Sequence, residues 1–347
     1  MIINGVSIGE GQPPYVVAEM SANHNGRLET AYEIIDMAAR CGASAIKLQT
    51  YTADTITLKS QASDFMISGG LWDGMSLYEL YDRAHLPWEW HKEIFRYAKQ
   101  KELTVFSSPF SFEAVDFLES LDCPAYKIAS FEAIDLPLIE YCASTGKPLI
   151  ISTGLASLEE MLEARDAALG AGCGDLVMLH CVSAYPSLPG DYNLATITDM
   201  REKLGVPIGL SDHTLSNTTA IASIALGACF IEKHVTLDRS AGGPDDSFSL
   251  VECELKALVD DSRVAFDALG EVDYSLKSSE KGNIQFRRSI YFVSDLREGD
   301  IITEDDIRSV RPGYGVPPKF FKFLLGRKMT SNVKKNTPVH LDLIDTG

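Results

Sequence analysis

Short apolar runs alternate with longer amphipathic segments over about 270 residues of the chain. The apolar runs are YVVAEM, SAIKLQT, LTVFSSP, AYKIAS, PLIISTG, LVMLHCVS, PIGLSDHT and FIEKHVT. Between them, apolar residues recur at three- and four-residue spacing, which is typical of helices. Strands alternating with helices predict right-handed βαβ units and a parallel sheet. Eight units favour closure into an α/β (β/α)8 TIM barrel over a doubly wound open sheet. The absence of a GxGxxG motif after the first run also argues against the open sheet, because dinucleotide-binding sheets carry that motif there.

The end of the chain differs from this pattern in both charge and periodicity. Residues 285–347 carry eleven Lys and Arg against eight Asp and Glu, a formal charge of +3, which leaves −21 for the rest of a total of −18. The polar stretch SLKSSEKGNIQ before this change of sign is typical of a linker. We therefore predict a barrel at 1–270, a linker at 271–284 and a small domain of short strands and turns at 285–347. Because a domain of this size has only a small core, we expect it to dock on the barrel or on another chain.

Net charge and cysteine usage restrict the class of protein. A formal charge of −18 argues against general nucleic-acid binding, because phosphate backbones require a basic face. The longest apolar stretch, AIASIALGACFI, is too short to cross a bilayer, and the N-terminus lacks the features of a signal peptide. Seven cysteines without a CxxC pair favour reduced thiols. We therefore expect a cytoplasmic protein with neither nucleic-acid nor membrane partners.

Each apolar run becomes polar at its carboxyl end. The polar residues there are Glu19, Lys47, Gln49, Ser107, Ser108, Lys127, Ser130, Ser152, Thr153, Ser183, Ser211, Asp212, His213, Glu232 and His234. Enzymes with this fold carry their active sites at the carboxyl ends of the barrel strands. The convergence of so many polar ends therefore predicts a functional mouth rather than scattered polarity where loops begin.

Two histidines end the seventh and eighth runs at matching positions. Neighbouring strands lie about 4.8 Å apart, so inward-facing His213 and His234 could share one cation. A single strand histidine is more often a hydrogen-bonded core residue, but the pair favours a metal site. No cysteine cluster or third nearby histidine completes a closed zinc site. We therefore predict an open site for Mn²⁺ or Mg²⁺, with Glu19 close by because closure brings the first strand beside the eighth.

Two lysines end the second and fourth runs, across the predicted mouth from the histidines. In so acidic a chain, inward-facing Lys47 and Lys127 predict an anion site. The hydroxyl donors that could surround the anion are Ser130, Ser152, Ser183 and Ser211. A Schiff base is the alternative role, since a desolvated barrel lysine is suited to it. Lys233 has acidic neighbours in Glu232 and Asp212, so ion pairing alone could account for it.

Specific motifs run along nearly all of the chain. They are AEMSANHNG, IKLQTY, FSSPF, YKIAS, STG, HCVSAYP, GLSDHT, EKHVTLD and GGPDDSFSL, followed by RRSIY and RPGYG. Together they resemble the sialic-acid synthase family. GGPDDSF and AEMSAN depart from the GPDH-like and AE-x-G-x-N sequences common in sialate synthases, which favours the pseudaminic acid synthase branch. The resemblance implies a barrel followed by a small antifreeze-protein-like (SAF-type) domain.

The resemblance also implies an activity. It is the condensation of phosphoenolpyruvate with 2,4-diacetamido-2,4,6-trideoxy-L-altrose, which gives pseudaminic acid and phosphate by metal-assisted C–O cleavage. The alternatives are N-acetylneuraminate or legionaminate synthesis, from N-acetylmannosamine or a related diacetamido sugar. A Schiff-base aldolase using Lys127 and a non-catalytic carbohydrate-binding or coat protein are two further hypotheses. The presence together of Lys47, Lys127, His213 and His234 argues against the non-catalytic one.

By the same resemblance, roles are implied for individual residues. Those around phosphoenolpyruvate are Lys47, Ser108, Lys127, Ser130, Ser152, Ser183 and Ser211. His213 and His234 would bind the divalent ion, and Glu19 is the candidate for proton handling. Those facing the sugar are Glu19, Gln49, Tyr185 and Asp245. The resemblance further implies a domain-swapped homodimer, in which the small domain closes over the partner's barrel and brings Arg311 to the acetamido group of the sugar.

Overall fold

The computed structural model describes residues 1–346 and contains a closed barrel of eight parallel strands. The strands are β1 (Tyr15–Glu19), β2 (Ala45–Thr50), β3 (Thr104–Pro109), β4 (Tyr126–Ile128), β5 (Leu149–Ser152), β6 (Leu176–Cys181), β7 (Ile208–Ser211) and β8 (Phe230–His234). They are paired in chain order, and the barrel closes because β8 pairs with both β7 and β1. The predicted (β/α)8 barrel is confirmed.

Helices alternate with the strands and share one hydrophobic core with them. Their bounds are Leu28–Cys41, Ala53–Ile56, Leu77–Ala84, Trp88–Gln100, Phe112–Glu119, Leu136–Ser144, Leu158–Gly170, Thr196–Leu204, Thr218–Ala225 and Glu252–Leu269. Local sequence sets several of these ends. Ser76 and Ser157 each accept a hydrogen bond from the backbone N–H three residues on, which begins a helix. Gly42 ends the first helix with φ of 78°, a conformation that favours glycine.

The barrel strands are buried along nearly their whole length. A parallel sheet is covered on both faces, which explains why its strands read as continuous apolar runs rather than as alternating ones. A short antiparallel hairpin, Ile2–Ile3 with Val6–Ser7, precedes β1. The polar residues that interrupt the runs therefore stand out as exceptions at the carboxyl ends.

The chain separates into two compact units, Met1–Gly270 and the part that begins at Glu271. The second unit contains the antiparallel pair Ser289–Phe292 and Ile307–Val310 and a short helix, Phe321–Leu324. It has its own core, which includes Ile290, Phe292, Ile302, Leu324 and Val339. The residues predicted as a linker run into a 3₁₀ helix, Ser278–Phe286.

All seven cysteines are free thiols, and six of them are buried. Within residues 1–346, no helix combines the length and the apolar character needed to cross a bilayer.

Candidate active site

A cavity of about 590 Å³ opens at the carboxyl ends of the barrel strands. The predicted site residues that line it are Glu19, Lys47, Gln49, Lys127, Ser130, Ser152, Ser183, Tyr185, Ser211, His213, His234 and Asp245. Ser108 does not line it. It is fully buried, and its Oγ accepts a hydrogen bond from Lys47 Nζ at 3.4 Å. Arg311 belongs to the second unit, where it is exposed and precedes Pro312 through a cis peptide bond.

A second cavity, of about 430 Å³, lies at the amino ends of β7 and β8. Glu10 and Arg201 are among its lining residues, and none of the predicted site residues reach it. The amino-terminal face of such barrels serves stability rather than chemistry. The larger cavity at the carboxyl ends is therefore the candidate active site.

Strand β8 directs its three ionisable side chains to two different faces. Glu232 and His234 line the cavity, because alternate residues of a strand share a face. Lys233 points the other way, where its Nζ donates to Thr214 O at 2.7 Å and to Asp212 Oδ2 at 2.8 Å. The ion pair and the carbonyl contact compensate the burial of Lys233, which is only 2% exposed. Ion pairing therefore accounts for Lys233.

Two lysines and two glutamates form a buried charged network inside the cavity. Lys47 Nζ lies 2.8 Å from Glu19 Oε2 and 3.6 Å from Glu232 Oε1. Lys127 Nζ lies 3.4 Å from the same Oε1 of Glu232. All four residues are less than 5% exposed. Buried charges are tolerated when they are paired, so the network balances two positive and two negative groups.

Burial and pairing act against each other on these groups. Burial disfavours the ionised form of Glu232, but Lys127 and Lys47 outweigh it and lower the pKa of its carboxyl group. Burial raises the pKa of Glu19 in spite of Lys47. It lowers the pKa of Lys127, whose one ion-pair partner within residues 1–346 is Glu232. An entering anion would strengthen the charged form of Lys127, so the cavity is suited to an acidic ligand.

Hydroxyl groups converge around Gly154, just after β5. Ser130 Oγ accepts a hydrogen bond from Gly154 N at 3.1 Å. A Cβ at position 154 would collide with Ser183 Oγ and lie 2.8 Å from Ser130 Oγ, so glycine is required for this approach. Ser152 Oγ is buried and has no hydrogen-bond partner within residues 1–346. Because an unsatisfied buried hydroxyl is costly, this group is suited to donate to an anion in the cavity.

The two predicted metal ligands lie side by side. The ring centroids of His213 and His234 are 5.4 Å apart. The ring of Tyr185 packs against His213 at 4.4 Å, and the ring of Phe248 packs against His234 at 5.2 Å. His213 Nδ1 lies 2.8 Å from the carbonyl oxygen of Val182, to which it donates as an N–H, leaving Nε2 free. His234 Nδ1 is buried and has no hydrogen-bond partner in the described chain. Both rings therefore have a nitrogen available for a ligand.

The protonation state of His234 also fits a metal ligand. Burial, together with the positive charge of Lys47, lowers its pKa well below the usual value, which favours the neutral imidazole. No group of three or more His, Cys, Asp or Glu residues that could hold a metal occurs within residues 1–346. Glu19 is paired with His234 across the strands, but its carboxylate contacts Lys47 and Gln49 instead. The two rings thus fit an open site that water or substrate would complete.

A hydrogen-bonded chain connects the charged network with the loop after β8. Gln49 Nε2 donates to Glu19 Oε1 at 2.8 Å and to Ser21 Oγ at 3.0 Å. Ser21 Oγ donates in turn to Asp245 Oδ2. Tyr185 lies on the same side, with its ring 6.0 Å from that of Trp72. Three of the four residues predicted to face a sugar in the barrel, Gln49, Asp245 and Glu19, are therefore joined in one polar chain.

Another side of the cavity, which was not predicted, consists mainly of apolar side chains. We call Ile56, Ile67, Trp72, Leu77 and Leu80 the apolar wall; all five come from the segment between β2 and β3, from which Tyr51 and Tyr81 also line the cavity. The segment is fixed to the loop after β8, because Trp72 Nε1 donates to Pro244 O at 3.2 Å and Arg83 Nη2 to Gly242 O at 3.3 Å. No periodicity in the sequence indicated this arrangement.

Two acidic residues of the cavity have no role in the sequence prediction. Glu232 is predicted only as a polar strand end and as an acidic neighbour of Lys233, although its two-residue spacing from His234 indicates that both face inwards. Glu132 follows β4 in the 3₁₀ helix Ser130–Glu132, and its Oε2 is buried without a hydrogen-bond partner in the described chain. Burial raises the pKa of Glu132 to about 7, opposed by Lys127 and supported by Asp135.

This raised pKa predicts a pH dependence of stability. Between the usual value of 4.5 and about 7, the folded protein binds a proton at Glu132 that the unfolded chain has lost, so stability falls as pH rises through this window. From pH 5 to pH 8 the free energy of unfolding of the barrel should fall by about 2 kcal/mol more in the wild type than in Glu132→Gln. Urea unfolding of both proteins at the two pH values measures this. Glu163→Gln, at an exposed position, is the control and should behave as the wild type does. If the free energy of unfolding of Glu132→Gln fell as much as that of the wild type, the raised pKa of Glu132 would be contradicted.

Comparison with known proteins covers both units. The NeuB family matches residues 34–274 and the SAF domain matches residues 287–345. The pseudaminic acid synthase of Helicobacter pylori is 44% identical over 336 residues, which are 96% of this chain and 98% of that protein. The pseudaminic acid synthase of Campylobacter jejuni serotype O:2 is 45% identical over 320 residues, with 92% and 93% covered. The crystal structure of an N-acetylneuraminic acid synthetase from Leptospira borgpetersenii is 29% identical, with a TM-score of 0.73 over 83% of this chain and 95% of that one.

Proposed function

The chain belongs to the NeuB family, as its motifs predicted, and from this premise we propose that it is a pseudaminic acid synthase. It is an enzyme that condenses phosphoenolpyruvate with 2,4-diacetamido-2,4,6-trideoxy-L-altrose to give pseudaminic acid and phosphate. The observation that carries the proposal is the meeting of Lys47 and Lys127 with His213 and His234 in one cavity. Legionaminate and sialate synthesis are the alternatives within the family. The non-catalytic hypothesis is not supported.

For phosphoenolpyruvate we propose the lysine side of the cavity. Lys47 and Lys127 would neutralise its phosphate and carboxylate groups, which explains why a buried lysine with a lowered pKa, Lys127, is kept there. The hydroxyls that would donate to it are those of Ser130, Ser152, Ser183 and Ser211. Ser108 would act through Lys47 Nζ, to which it is hydrogen-bonded, rather than by touching the ligand.

For the metal we propose His213 and His234 as protein ligands of Mn²⁺ or Mg²⁺. Within residues 1–346, His234 Nδ1 has no hydrogen-bond partner and His213 donates from Nδ1 rather than from Nε2, which supports this site. When bound there, a divalent ion would act as a Lewis acid on the aldehyde oxygen of the open-chain sugar. The sugar itself would be oriented by Gln49, Tyr185, Asp245 and Arg311, of which the first three line the cavity.

In the proposed reaction the methylene carbon of phosphoenolpyruvate forms a bond to the aldehyde carbon. Water adds to C2, and phosphate leaves by cleavage of the C–O bond. One proton of the water leaves with the phosphate as C2 becomes a keto group, and the other goes to the aldehyde oxygen, which becomes a hydroxyl group. We propose that the Glu19 carboxyl moves this proton, since burial raises its pKa towards the range that general acid–base catalysis requires.

We further propose that the active form is a domain-swapped homodimer in the cytoplasm. Large apolar side chains are exposed on the loops after β4 to β7, among them Ile134 at 62%, Leu155 at 76% and Leu188 at 68%. The small domain carries a net positive charge and the barrel a net negative charge, so their surfaces would attract each other. The small domain of a second copy would cover these loops and bring Arg311, exposed in its own unit, to the sugar.

An assay of phosphate release with three acceptors tests the function. We expect phosphate release from phosphoenolpyruvate to be fastest with the diacetamido-L-altrose, slower with the legionaminate precursor and slowest with N-acetylmannosamine. A clear preference for N-acetylmannosamine would make the protein a sialate synthase. Borohydride distinguishes the aldolase hypothesis, because trapping of a reduced pyruvate adduct on Lys127 would contradict the condensation by C–O cleavage.

A further inference from the structure

We propose that the apolar wall, Ile56, Ile67, Trp72, Leu77 and Leu80, selects the acceptor by its methyl groups, an inference that rests on the proposed function. The wall and the polar residues occupy the same cavity but come from different parts of the chain. Polar groups at strand ends supply the chemistry. The segment between β2 and β3 supplies the surface against which the unreacting part of the sugar lies.

Backbone and helix-capping hydrogen bonds hold the wall in place, in addition to the hydrogen bond from the indole of Trp72. Ile67 N donates to Met75 O at 2.9 Å, and Gly74 N to Ile67 O at 3.0 Å, which closes the loop between them. Ser76 and Glu79 form a reciprocal cap at the start of the helix Leu77–Ala84. The surface is therefore formed before a ligand arrives, as a specificity surface requires.

The wall also has a defined position relative to the reacting groups. Trp72 is the residue where the wall meets the polar side, since its ring faces Tyr185 and its Nε1 donates to the carbonyl oxygen of Pro244, next to Asp245. An acceptor with its aldehyde at the histidines and its polar groups at Gln49 and Asp245 would present its remaining carbons to the wall. Those carbons are the ones in which the candidate acceptors differ.

The acceptors differ in methyl groups. The diacetamido-trideoxy-L-altrose carries three, two in acetamido groups and one at C6, whereas N-acetylmannosamine carries one and has a hydroxyl at C6. A hydroxyl buried against apolar side chains loses its hydrogen bonds to water, and a methyl group buried there is favoured. A single such group changes selectivity about tenfold or more. The legionaminate precursor has the same three methyl groups, so the wall should not separate it from the altrose.

The experiment uses the full-length protein with Ile67→Ser and Leu77→Ser, two changes on different elements of the wall. Leu71→Ser is the matched control, because Leu71 belongs to the same loop, is 51% exposed and does not line the cavity. The kcat/KM of each protein is measured with the three acceptors, together with the KM for phosphoenolpyruvate. Thermal unfolding reports whether each variant is folded.

We expect both wall variants to lose about tenfold in the ratio of kcat/KM for either diacetamido sugar to that for N-acetylmannosamine. The ratio between the two diacetamido sugars and the KM for phosphoenolpyruvate should stay within twofold of the wild-type values. The control should match the wild type throughout. Unchanged acceptor ratios in both folded wall variants would overturn the proposal.

The outcome separates this inference from the proposed function. A wild-type protein that prefers the legionaminate precursor, with the expected loss in the variants, would correct the function and support the wall. Preference for the altrose with unchanged ratios in the variants would support the function and overturn the wall. Wild-type preference for N-acetylmannosamine with the wall intact would overturn both.

Discussion

Replacing His234 by alanine is expected to lower kcat by about a thousandfold, and His213→Ala should have a similar effect. Charge stabilisation by a Lewis acid contributes several kcal/mol, and each 1.36 kcal/mol corresponds to a factor of ten in rate. The two rings lie 5.4 Å apart and present one free nitrogen each, so with a single histidine the barrel would bind a divalent ion weakly. Excess chelator should abolish turnover in the wild type for the same reason.

Binding of Mn²⁺, measured by calorimetry on metal-free protein, gives a readout independent of activity. The wild type should bind one ion per chain, and both alanine variants should lose this binding while remaining folded. His85→Ala is the control, since His85 lines neither cavity. Full activity in excess chelator, or metal binding that survives both substitutions, would exclude the assignment.

Arg311→Ala and His234→Ala homodimers should both be poor enzymes and should recover activity when unfolded, mixed and refolded together. In a domain-swapped dimer one of the two sites of each heterodimer combines an intact His234 with an intact Arg311. With random pairing, half the dimers are heterodimers, so about a quarter of the wild-type activity should return. If each small domain served its own barrel, every site of the heterodimer would be defective and nothing would return.

The matched control for this experiment mixes His213→Ala with His234→Ala. Both residues line the same barrel cavity, so every heterodimer site is defective in either arrangement and no recovery is expected. Arg311→Ala alone should raise the KM for the sugar far more than the KM for phosphoenolpyruvate. Heterodimers confirmed by mass that show no activity would remove the swapped arrangement and leave the barrel chemistry as it is.

The barrel and the polar part of the site could be predicted because both follow from local rules. Buried parallel strands are apolar throughout, so Lys47, Lys127, His213 and His234 stand out as exceptions at their carboxyl ends. Closure of the barrel then brings these ends together without any further information. The pairing of His234 with Glu19 across β8 and β1 is one example.

The residues that sequence reasoning missed depend on tertiary contacts. Trp72 reaches the cavity because its indole is hydrogen-bonded to Pro244, which is 172 residues away in the chain. Glu132 lies in a short 3₁₀ helix after β4, and strand periodicity does not set the direction of its side chain. Ser108 is a strand-end hydroxyl whose contact with Lys47 is likewise a tertiary contact that the sequence did not indicate. Side-chain direction in loops, unlike that in strands, has no fixed period.

The opposite directions of Glu232 and Lys233 restrict how β8 can vary in evolution or by design. Substitutions at single positions of Phe230–His234 leave the direction of the other side chains unchanged. Inserting or deleting one residue would instead turn Lys233 into the cavity and turn Glu232 and His234 away from it. Lys233 would then add a third positive charge to the network, and Asp212 would lose its partner. Length differences among homologues should therefore be absent from this strand and confined to the loop that follows, where the segment up to Phe248 can change size without altering which face each strand residue occupies.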